Sequence, residues 1–90
     1  MILQVYSVRD NKAGTFSRPF FEHTDAAAVR AFTTAARDNQ SQISQFPDDF
    51  ELHKIGEFDD ATAIFVDNCP KFIVNAATLL ATKPTVEGSN

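Results

Sequence analysis

Ninety residues carrying a formal charge of −4, with no apolar run near the ~20 residues a bilayer requires, make one small domain and exclude a membrane-spanning helix. A single cysteine, Cys69, excludes an intrachain disulfide and fits a reducing compartment. The charge is uneven, and its total argues against strong, non-specific coating of nucleic acid. Residues 1–46 hold Arg9, Lys12, Arg18, Arg30 and Arg37 against Asp10, Glu22, Asp25 and Asp38, a net of +1, whereas residues 47–90 net −5.

The first element is a strand over Ile2–Val8, apolar on both faces (Leu3 and Val5 against Ile2, Tyr6 and Val8), as suits an interior strand. The N-terminus lacks a cationic segment followed by an apolar one, so no secretory signal is expected. A second short strand is expected over Thr15–Phe21, confined to a sheet edge because Pro19 cannot donate to a ladder. Thr24 offers an N-cap, and Ala28, Val29, Phe32, Ala35 and Ala36 form the apolar stripe of a helix over Asp25–Asp38.

Asn39–Gln45 is Asn/Gln/Ser-rich and reads as a loop, with Ile43 and Phe46 as anchors and a turn at Pro47-Asp48-Asp49. Phe50–Phe58 and Thr62–Val66, separated by Asp59-Asp60-Ala61, read as a hairpin. Pro70 stands where a helix begins, and Phe72, Ile73, Ala76, Ala77 and Leu80 carry helical spacing to about Thr82. Lys83–Asn90 reads as a disordered tail beyond a single domain over 1–82. The fold class is therefore α+β, in the order β-(β)-α-β-β-α. It should be a small antiparallel sheet of three to four strands with two helices packed on one face. The other face must be solvated or paired with a second copy. Nine phenylalanines are many for a core this small, so a homodimer or small homo-oligomer is expected.

Few residues suggest chemistry. Glu51, His53 and Glu57 share one face of a regular strand, where a solvated surface is a better reading than a metal or acid–base site. Phe20 and Phe21 read as core plugs. No catalytic constellation, metal site, cofactor motif or phosphate-cradling glycine loop is present, so no enzyme is expected. The loop after the first strand is the better candidate. Arg9, Lys12 and Arg18 can reach phosphates while Tyr6 or Phe16 stacks an unpaired base, and Arg30 and Arg37 extend the patch if their helix face points the same way.

The run Val5-Tyr6-Ser7-Val8-Arg9-Asp10-Asn11-Lys12-Ala13, followed by Pro19-Phe20-Phe21, resembles the small nonstructural protein of gokushovirus-type microviruses. Val29-Arg30-Ala31-Phe32, Phe46-Pro47-Asp48-Asp49-Phe50 and Lys54-Ile55-Gly56-Glu57-Phe58-Asp59-Asp60 extend the similarity, which covers roughly residues 1–66. The resemblance implies a non-virion protein of a single-stranded DNA phage, working in the host bacterial cytoplasm. Its suggested place is genome replication or the switch to packaging, with single-stranded DNA as partner. The alternative expectation is an adaptor whose acidic hairpin (Glu51, Glu57, Asp59, Asp60) meets the phage replication protein or a host factor.

Overall fold

The computed structural model describes residues 1–81, so the expected tail at 83–90 lies outside the described residues. The central strand, β1 (Ile2–Asp10), is paired on both sides, in keeping with its two apolar faces. Along one edge of β1 run two short strands, β2 (Thr15–Phe16) and β3 (Phe20–Glu22); along the other lies β4 (Phe50–Asp59), followed by β5 (Ile64–Asn75). All pairings are antiparallel. The expected strand over 15–21 is thus split at Ser17–Pro19, where proline leaves the ladder.

Helix α1 (Asp25–Arg37) begins where expected, with the Thr24 hydroxyl accepting from the Ala27 amide at 3.1 Å. A single helical turn, α2 (Gln42–Gln45), is capped by Ser41 and leads into a 3₁₀ turn over Pro47–Asp49. Of the two expected anchors, Ile43 packs on the core and Phe46 stays exposed.

The expected helix from Pro70 is corrected: residues 70–75 complete β5, and only Ala76–Ala81 is helical, as α3. Two things override the helical spacing. Phe72-Ile73-Val74 is a β-prone run that takes its backbone partners from β4. Pro70 is tolerated because β5 is the sheet edge and the register slips around it, between Lys54↔Lys71 and Gly56↔Asp67. Helix α3 starts instead at Asn75, whose side-chain oxygen accepts from the Ala77 amide at 2.8 Å.

The helices cover one face of the sheet. Tyr6, Ala28, Phe32, Ala36, Leu52 and Ala76 are its buried centre, flanked by Val8, Phe20, Phe50 and Val74. Period-two alternation sends Val5, Ser7 and His53 to the opposite face, which among the described residues carries no helix. Five of the nine phenylalanines, Phe16, Phe21, Phe58, Phe65 and Phe72, stand on that bare face.

Candidate nucleic-acid interface

The bare face holds two aromatic clusters, one at each end. The first is built around His53, which lies opposite Ser7 in the register. The Phe16 ring meets the imidazole edge-on at 5.4 Å and the Phe72 ring at 5.9 Å. Sandwiched between them, His53 is buried, and its Nδ1 has no hydrogen-bond partner among the described residues. The expectation of a solvated histidine is therefore corrected. Glu57 also leaves this face: an extra residue in β4, where the register slips between Val5 and Tyr6, breaks its even spacing from Glu51 and His53.

Arg9 joins this cluster. Its guanidinium carbon sits 5.3 Å from the centre of the Phe16 ring, within cation–π reach, and its Nε donates to Asn11 Oδ1 at 2.9 Å. The register puts Glu51 opposite Arg9, and a Glu51 oxygen lies 3.8 Å from His53 Nε2. The platform is thus cationic at its outer edge and balanced by a carboxylate at its inner one.

The loop beyond Arg9 is held by its own backbone. Asp10 Oδ1 accepts from the Lys12 and Ala13 amides at 3.0 and 3.2 Å, and Gly14, at φ +73°, closes the turn. Lys12 is left exposed at its tip. Ser17 then fastens the chain to β1: its amide donates to the Val8 carbonyl at 2.8 Å, and its hydroxyl accepts from the Val8 amide at 3.0 Å. The Ser7 hydroxyl donates to the Ser17 carbonyl at 2.7 Å, which explains a buried serine in the sheet. Arg18, next along, is exposed at the same edge of β1.

The remaining expected residues fall elsewhere. Tyr6 is fully buried on the helix side, and its hydroxyl donates to Asp25 Oδ1 at 2.5 Å. Burial, reinforced by that bond and the nearby carboxylate charge, raises the phenol well above its ordinary value. Tyr6 thus offers no stacking face. Arg30 and Arg37 are exposed on α1, whose Ala28-Phe32-Ala36 stripe packs on the sheet. They occupy the outer side of the helical layer, away from Phe16. Among the described residues no carboxylate forms an ion pair with any of the five cations.

The structure therefore joins Arg9 and Phe16, keeps Lys12 and Arg18 at the same edge, and separates Tyr6, Arg30 and Arg37. Phe72 and His53 complete the platform, and the spacing of the sequence missed both. Phe72 sits in a segment with helical periodicity, and His53 is buried only because two distant rings converge on it. Phe21 is likewise corrected from core plug to the bare face, where it meets Phe58 at 5.6 Å.

These features define a small α+β protein with a one-sided helical layer and an aromatic open sheet. Comparison with protein families places it further. The model of the phage ORF5 protein family matches residues 3–79, and the chain belongs to that family. No curated protein and no solved structure matches the chain. No described helix is long and apolar enough to cross a membrane.

Proposed function

We propose that this phage protein is a non-enzymatic accessory factor of a gokushovirus-type microvirus, holding single-stranded DNA during genome replication or the switch to packaging in the host cytoplasm. The observation that carries the reading is the Arg9 guanidinium over the Phe16 ring, with an exposed Phe72 across His53, on a sheet face that none of the described helices covers. Aromatic rings and arginine planes on an open sheet stack unpaired bases, and nearby cations meet the backbone. Phe16 is 39% and Phe72 53% exposed, so both rings are accessible to a base. Arg9, Lys12 and Arg18 supply the phosphate contacts; Tyr6, Arg30 and Arg37 take no part. Three cations beside a carboxylate, on a chain of net negative charge, make a weak to moderate binder.

Fluorescence anisotropy with a labelled single-stranded oligonucleotide tests this. Three phosphate contacts give a log–log salt slope of about −2 for a single strand. Phe16→Ala and Phe72→Ala should each weaken binding by roughly 5- to 100-fold, the range of one stacked base, while circular dichroism stays unchanged. Absence of binding at ~50 mM salt, or affinity indifferent to both substitutions, sinks the reading and leaves the adaptor role.

A further inference from the structure

The other end of the sheet has a different character. The apolar side chains near the turn of the β4–β5 hairpin are exposed on both faces. Phe21, Phe58 and Phe65 cluster on the bare face, with rings 4.7 to 6.1 Å apart, while Ile2 and Ile64 flank Asp59 in the register on the reverse side. Ile64, Phe65 and Val66 are 59, 55 and 51% exposed, three consecutive apolar residues on the edge of the sheet that no other described strand pairs with. Such an edge is a template for another strand, and proteins ordinarily blunt it with charge or proline. The remainder of this edge is blunted in that way, by Asp67, Pro70 and Lys71.

We propose that Ile64–Val66 pairs antiparallel with the same segment of a second copy, about a two-fold axis at Phe65, joining two sheets into one. Edge pairing accounts for apolar residues on both faces, because Phe65 then meets its counterpart on one face and Ile64 meets Val66 on the other. Docking of one face alone would explain only half of them. The window is short because Asp67 ends it, and in this register Asp67 falls opposite Ala63, so no carboxylate opposes another.

Nucleic acid is the wrong occupant here. The surrounding charges are Glu22, Glu57, Asp59, Asp60 and Asp67, and residues 57–67 include no lysine or arginine. The Met1 ammonium at this end of the sheet is already held by Asp60 at 2.9 Å. The exposed parts of Ile2, Phe21, Ile64, Phe65 and Val66 amount to on the order of 500 Å² of apolar surface, at the upper end for a monomer. Pairing through β5 covers Ile64, Phe65 and Val66, on the order of 300 Å² per copy and about 600 Å² in all, well below a standard interface, so the dimer should be weak and reversible.

Sedimentation velocity of the unaltered protein from ~1 μM to ~1 mM should show a monomer passing to a dimer. In a Cys69→Ser background, Phe65→Cys should form an intermolecular disulfide. A mixture of Ile64→Cys and Val66→Cys chains should cross-link to each other, and Phe72→Cys should not link. A monomer throughout the concentration range overturns the proposal and leaves a foreign strand for this edge. A dimer that cross-links through Phe72 rather than Phe65 also overturns it.

Discussion

The Tyr6 hydroxyl leaves the core to reach Asp25 in the first turn of α1, so one side chain ties the central strand to the helix above it. The bond has a carboxylate acceptor and is worth about 1.5–3 kcal/mol by the usual range for charged partners. It also fixes a pH dependence. Folding holds the phenol neutral above its ordinary value of 10.0, so the unfolded chain releases this proton first as alkali is added. The stabilisation is complete below that value and is lost as pH rises beyond it. Tyr6→Phe should therefore cost about 1–2 kcal/mol in urea unfolding at neutral pH and should weaken the fall in stability above about pH 10. Tyr6 is the only tyrosine, so ultraviolet absorbance follows its ionisation directly. Titration at the ordinary value in the folded protein contradicts this account.

At the scale of elements, the pairing of β4 with β5 turns on Gly56. A Cβ built there would run into the Val66 carbonyl oxygen, a backbone atom that cannot rotate away. Gly56 sits beside two of the three register slips of β4, one against β1 and one against β5. Gly56→Ala should destabilise by about 2–3 kcal/mol in chemical denaturation, the cost of overpacking, whereas Gly14→Ala meets open space and should cost only its left-handed turn. Equal effects at the two glycines would remove the close approach as the cause. Elements whose signals are local are legible in the sequence, whereas those decided by strand register are not. Helix α1 was readable because its cap, alanine content and stripe all agree. The hairpin was readable from β-prone runs around Asp59-Asp60-Ala61, although its turn uses Ala63 at positive φ in place of glycine. Residues 70–75 mislead because Phe72, Ile73 and Ala76 satisfy a helical period as well as an edge strand followed by a helix. Only pairing with β4, a long-range contact, decides between them. Glu57 departs from its expected side for a related reason: one extra residue in β4 inverts the alternation, and no local signal announces it.

Across the whole molecule, 47 Å in its longest dimension, the two aromatic clusters divide the bare face by charge. Leu3, opposite Phe58 in the register, and Ser7, opposite His53, mark their positions along β1, four residues and thus about 13 Å apart. That separation is large enough for substitutions at the two ends to act independently on stability. The two proposals are nevertheless linked through geometry. A dimer joined at Phe65 carries its stacking platforms at opposite ends of one continuous sheet. A strand long enough to engage both then binds its second platform at high effective concentration. The expected outcome is that a ~30-nucleotide strand binds at least ~10-fold more tightly than a ~6-nucleotide one to the unaltered protein, beyond what counting sites along the strand predicts. Phe65→Asp should abolish this length advantage while leaving affinity for the short strand unchanged, since no cation or stacking ring of the first cluster is altered. Phe72→Ala should weaken both oligonucleotides and leave sedimentation as a dimer intact. If Phe65→Asp instead lowers short-strand affinity with the fold preserved, the two ends of the sheet form one site and the division by charge does not govern function.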